Sequence, residues 1–149
     1  MKIINEFDMS IKSLSVNEGF VRSVIAGFCV ECNPSLDEIT EIKTAVSEAI
    51  TNCVVHAYPD SVGKIDINVK LYKNMVKISI KDYGVGIENI DKALEPFFTT
   101  KPNEERSGMG FTVIESFMDE LNVVKNKGQG ITVQMTKIFN GEREIQVGA

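Results

Sequence analysis

The chain has 149 residues and a mass of 16.5 kDa, which fits one domain. Sixteen Lys and Arg against twenty-one Asp and Glu leave a net charge of -5 and a pI near 5.0, while a hydrophobic content of 43% can fill a core. These values exclude general disorder and a basic footprint for the phosphate backbone of nucleic acid, and they favour protein or small-molecule partners.

Residues Met1 to Ser10 carry no apolar signal-peptide core, and no stretch approaches the roughly 18 apolar residues of a membrane span. A cytoplasmic protein without membrane attachment is therefore expected. The three cysteines, an odd number, fit a reducing compartment better than a disulfide framework.

Phe7, Met9 and Ile11 alternate with polar residues, which predicts a half-buried strand over Glu6 to Ile11. Ser15-Val-Asn-Glu18 reads as a capping box ahead of a helix whose apolar stripe is Phe20, Val21, Val24, Ile25 and Phe28. That helix should stop near Asn33-Pro34, because the residue before proline is driven out of the helical region. Ile39, Ile42, Val46, Ala49, Ile50, Cys53 and Val54 then recur at helical spacing, predicting a long amphipathic helix from about Leu36 to Ala57, ended by Tyr58-Pro59-Asp60.

Two alternating runs, Ile65 to Leu71 and Val76 to Ile80, flank Lys73-Asn74 and predict an antiparallel hairpin with Asp82 where the second strand stops. Tyr83 to Gly110 contains Gly84, Gly86, Gly108, Gly110, Pro96 and Pro102 and little periodicity; a loop this long in a small domain is functional or disordered. Phe111, Ile114, Phe117, Met118 and Leu121 predict a further helix. Asn122 to Lys125 and Ile131 to Ile138 read as strands joined through Lys127 to Gly130. The sum is an α+β two-layer sandwich, with helices on one face of a mixed, mainly antiparallel sheet, in a single domain with its core at about residues 7–138 and a loosely ordered tail from 140 onward.

Glu48 and Asn52 are four residues apart on the long helix, one above the other, with Glu48 roughly opposite the apolar stripe and Asn52 on its flank. An isolated pair of this kind is usually just solvated. Its chemistry still has a use: an amide oxygen suits a hard Mg²⁺ ion, and a carboxylate one turn away can take a proton from a hydroxyl held near that ion. Asp82-Tyr-Gly84-Val-Gly86 follows a strand end, where an Asp can accept from an exocyclic amine such as that of adenine and glycines allow close approach. Such turns are common. Arg106-Ser107-Gly108-Met109-Gly110-Phe111 leads directly into a helix, so main-chain N–H groups and the helix dipole are available to phosphate. Thr99, Thr100, Lys101 and Arg106 add hydroxyls and cations able to close over a polyphosphate.

Taken in order, Glu48…Asn52, Asp82-x-Gly84-x-Gly86, Phe98-Thr-Thr-Lys101, Gly108-Met-Gly110 and Gly130-Ile-Thr132 resemble the nucleotide boxes of the GHKL ATPase/kinase superfamily, with its Bergerat ATP-binding fold. The resemblance covers about residues 7–138. Thr40 to Asn52 and Pro96 to Phe111 are closer still to one branch, the anti-sigma-F serine-protein kinases of spore-forming bacteria. What it implies is an ATP-dependent protein serine kinase that uses ATP/ADP and Mg²⁺. Asn52 would hold Mg²⁺, Glu48 would be the general base, Asp82 and Thr132 would read adenine, and Gly84 and Gly86 would shape its pocket. Thr99, Thr100, Lys101, Ser107, Gly108, Met109, Gly110 and Phe111 would line the phosphates, with Arg106 stabilising charge on the γ-phosphoryl. Members of this branch act as homodimers, hold a sporulation sigma factor inactive and phosphorylate a serine of an anti-anti-sigma factor. Arg22 matches their partner-docking arginine, and at ~100° per residue it lies about 130° from the centre of its helix's apolar stripe.

Four other readings compete with this one. A sensor histidine kinase shares the nucleotide boxes but needs a phospho-accepting histidine in a separate hairpin, whereas His56, the single histidine, lies on the nucleotide helix. Cys29-x-x-Cys32 with Cys53-x-x-His56 has the ligand types of a zinc site, yet Cys29 and Cys53 both fall in apolar stripes, as small buried hydrophobes do. A related stress-response (sigma-B type) anti-sigma kinase shares every nucleotide box. A nucleotide-gated sequestering protein without kinase activity would not need Glu48.

Overall fold

The computed structural model describes residues 2–95 and 110–140. In chain order these form β1 (Asn5–Lys12), α1 (Asn17–Phe28), α2 (Leu36–Asn52), β2 (Lys64–Tyr72), β3 (Met75–Asp82), α3 (Ile90–Ala93), α4 (Gly110–Phe117), β4 (Glu120–Lys125) and β5 (Ile131–Ile138). The five strands described make one sheet in the order β1-β2-β3-β5-β4, and every pairing among them is antiparallel, in a sheet expected to be mainly so.

Alternation decides which face is buried. Ile65, Ile67, Val69 and Leu71 of β2, Val76, Ile78 and Ile80 of β3, and Val133 and Met135 of β5 are nearly inaccessible and share one face. Against them lie Val21 and Ile25 of α1, Ile42, Val46 and Ile50 of α2, and Ile114 of α4, each fully buried. Each such side chain contributes about 1.5–3 kcal/mol relative to exposure. Phe7 and Phe28 close the β1 end with an edge-to-face contact at 4.7 Å.

The helix ends differ from expectation. Ser15 does not cap α1: the N-cap is Val16, without a side-chain bond, because Ser15 is used in a main-chain turn (Glu18 N–H to its carbonyl, 3.2 Å) and the Glu18 carboxylate is taken by Arg22. The capping box is at Ser35, whose hydroxyl accepts from Glu38 N–H at 3.1 Å while the Glu38 carboxylate accepts from Ser35 N–H at 3.0 Å. A 3-10 turn over Cys29–Cys32 extends α1, and left-handed Asn33 (φ 50°) ends it before Pro34. The predicted continuation of α2 to Ala57 is a π-helical turn over Cys53–Ala57, closed by Tyr58 N–H on the Cys53 carbonyl at 3.0 Å.

The stretch expected to lack regular structure contains the four-residue helix α3, capped by the Asn89 side chain. α4 stops at Phe117, so Leu121, expected on that helix, lies in β4. Lys137, almost buried, explains the early stop: its ammonium donates to the Phe117 carbonyl at 2.7 Å and pairs with Glu41 of α2 at 2.8 Å, which satisfies the open end of α4. Of the tail predicted to be loose from 140 onward, residues 141–149 lie outside the described residues.

Candidate nucleotide site

A cleft of about 1060 Å³ opens between the end of α2, its π-helical turn, the ends of β3 and β5, and the start of α4. Asn52, Cys53 and His56 line it from the helix side, Asp82 and Ile131 from the sheet, Gly86 to Ala93 from the segment after β3, and Gly110 and Phe111 from α4. The π-helical turn inserts its extra residue directly after Asn52, and both sides of that junction face the cleft.

Asp82 is the most constrained polar group there, only 2% exposed. Its Oδ1 accepts from Gly84 N–H at 3.0 Å and from Ile131 N–H at 3.3 Å, and the Cys53 thiol makes a long contact of 3.9 Å to Oδ2. Burial pushes the Asp82 carboxyl above the usual carboxylate range, partly offset by the two main-chain donors. With Oδ1 committed, Oδ2 keeps acceptor capacity on the cleft wall for a donor such as an exocyclic amine.

Glycines build this corner in three different ways. A Cβ on Gly84 would collide with the Ala57 carbonyl, where the loop closes on the π-helical turn through Val85 N–H to Ala57 O at 2.9 Å. Gly84 thus shapes the site by close packing, while Gly86, at φ +79° with open space around it, turns the chain along the cleft. Gly130, at φ +93°, lies on Asp82, and a Cβ there would strike its main-chain carbonyl and Oδ1. Tyr58 ties the same corner together: its hydroxyl accepts from Tyr83 N–H and donates to the Lys64 carbonyl, both at 2.6 Å.

The structure brings Asn52, Asp82, Gly86, Gly110 and Phe111 to one cleft, with Glu48 half-buried one helical turn before Asn52. It does not bring Thr132 there. Thr132 sits opposite Lys81 on the outer face of the sheet, and its hydroxyl donates to Asn126 Oδ1 at 2.6 Å. A strand alternates sides at every residue, so the β5 side chains on the cleft are Ile131 and Val133. Thr99, Thr100, Lys101, Arg106, Ser107, Gly108 and Met109 lie outside the described residues. Arg22, with its side chain 44% exposed, is held by Glu18 at 2.5 Å and reaches Ser47 of α2 at 3.5 Å.

Sequence reasoning did not single out Asn126, whose amide binds the main chain of Asp82, or Lys125, whose ammonium donates to the Glu88 carbonyl at 3.0 Å across the cleft. Neither has a sequence signal beyond its place beside a glycine-rich turn. The cysteines are buried thiols: desolvation pushes Cys29 up to about 12 and raises Cys53 as well, and the Cys32 thiol donates to the Tyr72 carbonyl at 3.1 Å.

The family model for the histidine kinase-like ATPase domain matches residues 13–137. An anti-sigma F factor from Caldanaerobacter subterraneus is 46% identical over 143 residues, covering 96% of this chain and all of that protein. The chain belongs to the anti-sigma F family of histidine kinase-like ATPase domains. The family's anti-sigma F factor from Bacillus thuringiensis is also 46% identical, over 95% of this chain and 97% of its own length. In the fold alone, the crystal structure of the RsbU and RsbW domains of a Mycobacterium tuberculosis protein is similar, with a TM-score of 0.64 at 18% identity. That likeness covers 91% of this chain, which spans 32% of the larger chain. An ATPase domain implies nucleotide binding, and no helix among the described residues is long and apolar enough to cross a membrane.

Proposed function

We propose that this protein is an anti-sigma factor that binds and inhibits a sporulation sigma factor of the sigma-F type as a homodimer in the cytoplasm, and that it uses Mg-ATP to phosphorylate a serine of its anti-anti-sigma antagonist. The observation that carries the nucleotide part is the buried Asp82, with one oxygen fixed by two main-chain donors, lining the same cleft as Asn52. The names of the full-length relatives support the anti-sigma part.

Asp82 would accept from the adenine amine, and Ile131 and Val133, which line the same cleft, would offer apolar surface to the base. Gly110 and Phe111 of α4 line the cleft, and main-chain N–H groups toward a helix N-terminus suit phosphate oxygens. The donor set also fits Mg²⁺, since the Asn52 amide oxygen is a hard ligand at the cleft; the ion, when bound, neutralises phosphate charge. Glu48 takes the proton from the seryl hydroxyl, whose oxygen forms the new bond to the γ-phosphorus as the bond to ADP breaks. Lys101 and Arg106 offset the negative charge of the transferring group, with Thr100 and Gly108 alongside. Positioning and charge stabilisation of this kind account for most phosphoryl-transfer catalysis.

The test uses Mg-ATP and a candidate anti-anti-sigma protein. Wild type should phosphorylate serine and Glu48→Gln should not; equal transfer by both overturns the base assignment. Asn52→Ala should lose Mg-dependent nucleotide binding. Identification by mass of the proteins that co-purify from the native host tests the sigma-factor partner, whose absence overturns that part.

A further inference from the structure

The Thr132 hydroxyl, turned away from the cleft, ends a chain of bonds that leads back to Asp82. Thr132 donates to Asn126 Oδ1 at 2.6 Å. With its oxygen so engaged, the Asn126 amide directs both protons elsewhere: Nδ2 donates to the Asp82 carbonyl at 2.8 Å and to the Gln129 carbonyl at 3.0 Å. Asn126 N–H closes the turn on the Gly130 carbonyl at 3.0 Å. The 127–130 turn is thereby bound to the last residue of β3, and Gly130 has no side chain to hold the two apart. Ile131, the next residue, donates its N–H to Asp82 Oδ1.

We infer that Asn126, anchored by Thr132, is a positioning residue for purine recognition: it sets the 127–130 turn on Asp82 so that Ile131 N–H fixes Oδ1 and leaves Oδ2 to the base amine. The inference rests on the adenine reading of Asp82 given above. The Asp82 and Gln129 carbonyls, which only accept, dictate which way the amide points, and the Thr132 hydroxyl holds its oxygen in that orientation. A flipped amide would set Oδ1 against the Asp82 carbonyl, oxygen facing oxygen.

Inosine diphosphate separates base positioning from general support of the fold, since it carries an oxygen where adenine carries the amine. Calorimetric titration of ADP and of inosine diphosphate into wild type, Thr132→Val, Thr132→Ser and Asn126→Ala provides the test. Wild type should prefer ADP. Thr132→Val, similar in shape and well suited to a strand, should lose about threefold to tenfold of ADP affinity and as much of the preference, because one net hydrogen bond is at stake, while inosine diphosphate binding stays unchanged. Thr132→Ser should restore the preference, and Asn126→Ala should weaken it further. Equal weakening of both nucleotides in Thr132→Val, or an unaltered preference, overturns the inference and leaves the adenine reading standing. A wild type that does not prefer ADP overturns the adenine reading and the inference with it.

Discussion

At the β1–β2 edge of the sheet, side chains alternate in and out without interruption, and the inward set packs on α1 and α2 through contacts such as Phe7 on Phe28. At the β3–β5 junction the chain leaves regular geometry at almost every step: a π-helical turn, two positive-φ glycines, a buried carboxylate and a tyrosine hydroxyl bonded on both sides. The first region is held by area, which tolerates small displacements. The second is held by direction, since each polar group needs its partner at hydrogen-bond distance. Stability and function should therefore separate along the sheet.

The sharpest way to break that separation is a core truncation. Ile67→Ala, at a site 1% exposed, should cost about 2–5 kcal/mol in denaturant unfolding yet leave ADP affinity of the folded protein within about twofold. A collapse of ADP binding would merge the two regions into one.

Asp82→Asn tests the other end. It should lower ADP affinity by about tenfold to a hundredfold, the worth of a hydrogen bond to a charged group, as read by calorimetry. The nucleotide-free variant should nevertheless melt at a higher temperature than wild type. The sign follows from the raised carboxyl of Asp82: a folded-state value above the unfolded one gives stability that is complete below the unfolded value and is lost as pH rises through the folded value. Once ionised, Asp82 thus works against the empty fold. The same shift predicts that wild-type ADP affinity falls on acidification at a pH above the ordinary carboxylate range, and that Asp82→Asn shows no such edge; an identical edge in both proteins would assign it to another group.

Smaller effects should mark the helix ends. Ser35→Ala should cost about 1 kcal/mol by removing the real cap of α2. Glu18→Ala should change stability by less than about 0.5 kcal/mol, because its pair with Arg22 is largely open to solvent. A large loss there would show that Glu18 does more than hold Arg22.

Periodicity carried the packed end of the molecule into view from the sequence, because the burial of Ile65 to Ile80 and of Ile42 to Cys53 follows directly from spacing. Thr132 entered the site through the resemblance and not through periodicity, whereas alternation along β5 gives the cleft Ile131 and Val133. The pattern Ser-x-x-Glu occurs at both 15–18 and 35–38, and only the competing partners of Ser15 and Glu18 decide which one caps a helix. Asn126 and Lys125 escaped notice because their roles are bonds to main-chain atoms of distant residues, which leave no periodic trace. The π-helical turn after Asn52 is hidden for a related reason: its composition is that of ordinary helix.

Ile131 and Asp82 meet across 49 positions of sequence, and Asn126 reaches the same residue across 44. An unfolded chain therefore offers a nucleotide no trace of this pocket. A ligand that recognises only the native state adds about 2.7 kcal/mol when present at a hundred times its dissociation constant. Proteases that attack transiently opened chains would find fewer of them as nucleotide fills the site, so occupancy of the pocket lengthens the lifetime of the chain.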